Sequence, residues 1–474
     1  MRPRPSALAL LLCVGLACGD DGSGRDSDTG ASGSPSSPSG VSITTPTGSG
    51  SGSDTDVTDG TAGTEGESDS GATASSSSSD PSDPTLTTSS SDPTLTSDPT
   101  VTTTDTTGEP CMGGEQGELE SFLWIANSGE DTVSKIDTKS GVELGRYRTR
   151  PEAGGSPSRT SVNTADAVAV ANRLGGVAAF HAQTSHCKET NGVPGIQTSS
   201  GPGDVRPWGE DECLIWYAPF SYNDNRPVAW TSGFLNLDTC EVEDRNVWTA
   251  GSNTALGTAE VVLIDGESGS VLQTIPIPEL PEAWPGWFGF YGGAVDADNN
   301  FWATQLQGGK LLRVSHDDFS YQLFDVPGPE GGYGMTITAD GFVWLTGRAT
   351  HRFDPLTKQW ASQPLLNGEE VHTGGCMGDG GSILYRGSYA QIHGIDTQTL
   401  QVVKTFDVGE GGDDHIWGVA VDFEGYVWGV PRNGSRAYKI DPATGQKVLT
   451  VEGLVSAYTY SDMTGFALHS IIPE

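Results

Sequence analysis

Between residues 415 and 451 apolar and polar positions alternate in four short runs, broken by turn residues. GVAV is continuously apolar, as a strand buried on both faces should be, and DFEG follows as a turn in which Asp422 can bond its own backbone and Gly425 can take a positive φ. YVWGV and RAYKID alternate with a period of two, PATG is a second turn, and QKVLTV is a fourth strand. One sheet of this kind cannot cover its own faces and needs neighbours like itself. The chain supplies them at 291–315, 333–360 and 376–406, each with the same order of apolar run, turn and alternating strands. Trp302, Trp344 and Trp428 mark one position of the repeat. With Leu384 in the same role the spacings are 42, 40 and 44 residues. Four strands in a period of that length predict the blades of a β-propeller, and a tryptophan recurring there is expected to pack between blades.

The pattern extends towards the N-terminus. FLWIAN, TVSKID and VELGRYR (122–148) predict a first blade that lacks its innermost strand. MTGFALHS at 463–470 has no blade of its own and is the expected closing strand. Residues 158–219 predict a second blade, interrupted by an insertion at 187–213, and 228–277 a third. The expected fold is all-β: a seven-bladed β-propeller over 110–474, closed by the C-terminal strand. Cys187 and Cys213 flank the insertion at the ends of two strands expected to be antiparallel neighbours, which predicts a disulfide between them.

Composition changes sharply ahead of the propeller. Residues 1–17 carry Arg2 and Arg4 and then a short apolar run, too short to span a bilayer, which predicts an export signal. LAC followed by Gly19 resembles the lipobox of bacterial lipoproteins. That resemblance implies cleavage before Cys18, acylation of Cys18, and anchoring at the cell envelope by lipid alone. Residues 18–109 are almost wholly Ser, Thr, Gly, Asp and Pro, with SDPTLT repeated, sixteen acidic residues and one basic residue. Such a segment cannot bury enough apolar surface to offset its chain entropy, so a disordered acidic tether is expected. An export signal implies an oxidising compartment, where disulfides persist.

The whole chain has 62 acidic and 25 basic residues. Its propeller region keeps a strong negative excess, which argues against nucleic acid and against docking on anionic headgroups. The expected partners are the membrane through the lipid and a small molecule or envelope protein, with a monomeric chain.

The residues that precede the innermost strands lie about 40 apart in sequence, yet a propeller brings them to one channel mouth. They are Arg159, Tyr291, Tyr333, His372 and His415, with Tyr460 and Asp462 from the closing segment. They form a candidate ligand-binding set. His372 and His415 come from adjacent blades and are the candidate acid–base or metal-binding pair. In the insertion, Glu189, Asn191 and Gln197 fall at the first, third and ninth positions of a calcium-loop pattern. Val193 and Pro194 stand where a carboxylate and a glycine belong. The candidate cofactor is therefore a divalent metal, Mg or Ca.

GVAVDFEGYVW with KIDPATG, and LWIANSGEDTVSKIDTKSG, resemble the repeats of streptogramin (virginiamycin B) lyase-like and NHL-type β-propellers. The resemblance spans about 120–470 and rests on blade-forming residues. It implies the propeller fold. As an alternative to a binding module at the envelope, it also implies a metal-dependent carbon–oxygen lyase whose histidines stand at the channel mouth. His372 and His415 occupy comparable strand-entry positions, while no glutamate does.

Overall fold

The computed structural model describes residues 121–280, 288–306, 309–328, 332–364, 373–410 and 414–472. The export signal, Cys18, the tether and His372 lie outside these residues. Among the described residues the chain forms five separate four-stranded antiparallel sheets, a two-stranded hairpin, and one seven-stranded sheet. The seven-stranded sheet joins the last four-stranded unit (416–457) to a three-stranded unit (122–148) through a single pair, Asn127 with Ala457. Each unit is built from strands adjacent in sequence. The first strands of successive units lie against one another, as in a β-propeller.

The repeat has a physical reason at each of its marked positions. An acidic or hydroxyl residue opens the first turn and accepts the indole N–H of the tryptophan six residues on. Asp422 Oδ2 takes Trp428 Nε1 at 2.8 Å, Asp296 Oδ2 takes Trp302 Nε1 at 2.8 Å, and Thr338 Oγ1 takes Trp344 Nε1 at 3.0 Å. The indole can therefore be buried with its donor satisfied, and all three tryptophans are buried between units. In the sixth unit, 376–407, the strand register differs from the sequence expectation. Tyr385 pairs with Met377 as Trp428 pairs with Ala420, so Tyr385 holds the repeat position and Leu384 lies one residue before it. The spacings become 42, 41 and 43 residues. Further along three of the units a basic residue paired with the tryptophan reaches the next one. Lys135 Nζ donates to Ala182 O at 2.8 Å, Arg352 Nη1 to Thr397 O at 2.5 Å, and Lys439 Nζ to Thr138 O at 2.8 Å. Two residues later in these units, and at the same place in the sixth (Asp396), an aspartate caps the hairpin turn. Backbone N–H groups and a neighbouring hydroxyl lower the pKa of Asp354, Asp396 and Asp441.

Two boundaries differ from those read in the sequence. The third unit starts earlier, at Asp224–Trp230, and carries an extra hairpin, Phe234–Asn236 with Glu241–Glu243, before Val247–Asn253. The closing segment is also displaced. Residues 466–471, expected to be strand, form a short helix that begins after Gly465, whose φ is +86°. The chain just before it runs beside the first unit instead. Tyr458 N donates to Ala126 O at 3.0 Å, and Trp124 N donates to Met463 O at 2.8 Å. On its other side Ser461 Oγ donates to Thr160 O at 2.7 Å and accepts from Thr160 N.

Cys187 and Cys213 are bonded, with Cα atoms 4.5 Å apart. Cys240 is disulfide-bonded as well, and Cys376 is a free, buried thiol. Among the described residues no helix is long and apolar enough to cross a membrane.

Candidate functional site at the channel mouth

Side chains from five of the sheets and from the closing segment meet where the inner strands begin. Tyr333 Oη donates to Tyr458 Oη at 2.7 Å, and Tyr291 Oη lies 2.9 Å from the same oxygen. The Tyr460 ring stacks on Tyr291 at 5.6 Å between centroids and leans on Tyr333 at 4.6 Å. Trp417 meets Tyr333 edge-on at 4.3 Å. These tyrosines are buried, while Phe288 and Trp417 are partly exposed at the edge of the cluster. Close approach is allowed by Gly375, where a Cβ would stand 2.9 Å from Tyr460 Cβ.

Three guanidinium groups are set among these tyrosines, and a fourth, Arg432, lies over Trp417 at 4.1 Å. Arg159, buried, donates through Nε and Nη2 to Tyr291 O and stacks on Tyr460, and its Nη1 has no hydrogen-bond partner. Arg226 pairs with Asp224 at 2.5 Å and lies over Tyr291 at 4.5 Å. Arg173 lies over the Tyr458 ring at 4.0 Å, with Nε unpartnered. Asp224 is already engaged on both oxygens, since its Oδ2 accepts Gly289 N. Burial pulls Arg159 down to about 9, which leaves it charged at neutral pH. Burial works against ionising Tyr458, but the facing Arg173 and Arg226 and the phenols of Tyr291 and Tyr333 outweigh it and lower its pKa. Burial raises Tyr291 and Tyr333.

Of the residues singled out in the sequence, Arg159, Tyr291, Tyr333 and Tyr460 come together here. His372 is outside the described residues. His415 presents its ring edge-on to Tyr389 at 5.0 Å, and its carbonyl accepts Arg432 N. Sequence reasoning missed Tyr458, Arg226, Asp224, Arg173 and Trp417. Tyr458 was signalled by the alternation Tyr458–Tyr460, and Arg226 and Asp224 by a strand that starts earlier than Val228.

Asp462 stands apart from the tyrosines. It lines a cavity of about 30 Å³ with Ser161, Met335 and Met377, under Leu468 and Ile471 of the C-terminal helix. One carboxylate oxygen accepts Gly465 N at 2.9 Å, while Oδ2 is buried without a partner. Burial raises its pKa to about 6. A carboxyl raised on folding stabilises the protein while protonated, and that stabilisation falls as pH rises from about 4 through about 6. Asp462→Asn keeps the acceptor and removes the charge. It is expected to raise stability at pH 7 by ~1–3 kcal/mol and to flatten the pH dependence of urea midpoints between pH 4 and 7. An unchanged profile would show that Asp462 is solvated.

The calcium-like pattern folds into a loop that satisfies its own oxygens. Glu189 Oε1 accepts Asn191 N and Gly192 N, and Asn191 Nδ2 donates to Gln197 Oε1 at 2.7 Å. Among the described residues no three His, Cys, Asp or Glu side chains form a metal-ligating group.

Neither a protein family nor a curated protein matches the sequence. Among solved structures the chain is similar to a streptogramin B lyase, at 11% identity over 66% of this chain and 91% of that one, with a TM-score of 0.46. It is also similar to a protein from Lactobacillus plantarum, at 14% identity over 72% of this chain and 98% of that one, with a TM-score of 0.49. A third likeness is to apo AztD from Citrobacter koseri, at 13% identity over 72% of this chain and 96% of that one, with a TM-score of 0.44. These are likenesses only; the β-propeller itself rests on the strand order. They assign no activity.

Proposed function

We propose that this chain is a lipid-anchored, extracytoplasmic β-propeller that binds a small molecule at the mouth of its channel. The reading is carried by the buried polar atoms left without partners in the mouth cluster, Arg159 Nη1 and Tyr460 Oη. A buried donor without a partner costs about 1–3 kcal/mol, and a bound molecule would offset that cost. Partly exposed Phe288 and Trp417 would form the apolar rim that ligand sites combine with a few converging polar groups. The anchor rests on Cys18 after the apolar run.

The full chain expressed in a lipoprotein-processing bacterium and metabolically labelled with a fatty acid should carry label that Cys18→Ser lacks. Released from the membrane and analysed by native mass spectrometry, it should retain a bound small molecule that Trp417→Ala loses. Label persisting in Cys18→Ser would refute the anchor. Equal ligand occupancy in wild type and Trp417→Ala would refute the mouth as the site.

A further inference from the structure

The mouth concentrates positive charge in a protein that is otherwise strongly acidic, with a formal net charge of −37. Arg159, Arg173 and Arg226 all bear on the tyrosine cluster, and among the described residues Asp224 is the one carboxylate paired with any of them. Arg226 repels both of the others, which adds to their burial in lowering Arg159 and Arg173. Desolvated guanidiniums without counter-charge are unfavourable, and removing them from water is compensated only by a close anion.

We propose that the mouth takes a small oxyanion, the carboxylate or phosphate group of a small molecule, held by Arg173 and Arg226 beside Tyr458 Oη with Arg159 behind them. This rests on the ligand-binding reading above and names the class of its ligand. Guanidinium groups suit such a partner because their planar N–H donors match carboxylate and phosphate oxygens.

The site also contains an internal competitor. The groups facing Tyr458 are Arg173, Arg226 and Arg159, the phenols of Tyr291 and Tyr333, and the rings of Tyr460 and Trp417. All the charged ones are positive, and the carboxylate beside them, Asp224, is already engaged by Arg226 and Gly289 N, so the Tyr458 phenolate is the further counter-charge the protein itself can supply. An incoming anion supplies the same charge from outside and favours the neutral phenol. Starting from the phenolate, binding takes up one proton from solvent onto Tyr458 Oη. Affinity therefore falls as pH rises through the Tyr458 titration, and the bound anion raises the pH at which Tyr458 ionises.

The test uses the purified full chain with sulfate and with succinate as probes, by calorimetry between pH 7 and pH 9. Wild type should bind at least one of them saturably, more weakly at pH 9, with proton uptake visible as a dependence on buffer ionisation heat. Arg173→Gln, at a partly exposed position, should weaken binding by ~10-fold or more. Tyr458→Phe should bind with no such pH dependence and should lack the alkaline near-ultraviolet phenolate signal that the anion shifts in wild type. Tighter sulfate assigns a phosphate-like ligand, and tighter succinate a carboxylate. Absence of saturable binding, or equal affinity in wild type and Arg173→Gln, would overturn the proposal. If the molecule retained by the native chain and lost in Trp417→Ala proves neutral or cationic, the binding module stands and the anion class falls. If neither probe nor any co-purified molecule binds, both fall.

Discussion

A chain ending at Ala457 is expected to lose cooperative folding. The missing segment contributes two backbone hydrogen bonds to the first unit, Tyr458 N to Ala126 O and Trp124 N to Met463 O. It adds three more through hydroxyls: Ser461 Oγ with Thr160 O and N, and Thr464 Oγ1 with Val421 O at 2.6 Å. It also buries Tyr460, Met463, Leu468 and Ile471. Each such side chain is worth about 1.5–3 kcal/mol, and each net hydrogen bond about 0.5–1.5 kcal/mol. Their sum, on the order of 10 kcal/mol, matches the total stability of an ordinary domain. Without the segment, Trp124 N is left without its acceptor, and the first and last units keep one ladder pair, Asn127 with Ala457, beside side-chain bonds such as Lys439 Nζ to Thr138 O and Val455 N to Asn127 Oδ1. Urea unfolding followed by tryptophan fluorescence should show a broad, low-midpoint transition or none. A truncated chain with the wild-type midpoint and slope would mean that the units hold together without the tail.

The parts of this architecture that were legible in the sequence are those built from neighbours in the chain. Each four-stranded unit is a run of hairpins, so alternation and turn residues such as Asp422 and Gly425 mark it without long-range information. The Cys187–Cys213 bond was readable for the same reason, because the insertion leaves and rejoins adjacent strands. Register was less legible. Ile383–Leu384 reads like the Val427–Trp428 step, but Ile383 closes the turn from Asp379 as Tyr426 closes the one from Asp422, and the aromatic arrives one residue later as Tyr385. The closing segment was placed about five residues late because FALHSI is apolar and compact, while the segment that lies along the first unit, YTYSDM, is mixed and polar. The second error propagates to the site. Shifting the closing segment towards the N-terminus brings Tyr458 into the cluster beside Tyr460 and leaves Asp462 at the small cavity. The arginines were missed for a different reason. Arg173 sits on a hairpin turn, and its approach to Tyr458 is a contact across 285 residues that no local pattern encodes.

Asp422→Ala is expected to be the most damaging single substitution away from the mouth. Asp422 is fully buried. Its Oδ1 accepts Tyr426 N at 2.8 Å, and its Oδ2 accepts Trp428 Nε1 at 2.8 Å and pairs with Lys439 Nζ at 2.9 Å. Lys439 is itself buried and donates to Thr138 O in the first unit, so one carboxylate fixes a turn, an indole and the ammonium that links two units. Alanine leaves Lys439 as a buried cation with one neutral acceptor, a situation that typically costs 3–5 kcal/mol. The size of the loss should depend on the lysine. In Asp422→Ala with Lys439→Met no buried charge remains, and replacing such a pair by apolar groups is often nearly neutral. The double variant should therefore recover ~2 kcal/mol or more of what Asp422→Ala loses, short of full recovery because the indole N–H stays unpaired. Urea midpoints of the two single variants and the double variant decide it. Asp422→Ala within ~0.5 kcal/mol of wild type, a typical surface effect, would show that water reaches Lys439 and that this link between units carries little of the fold.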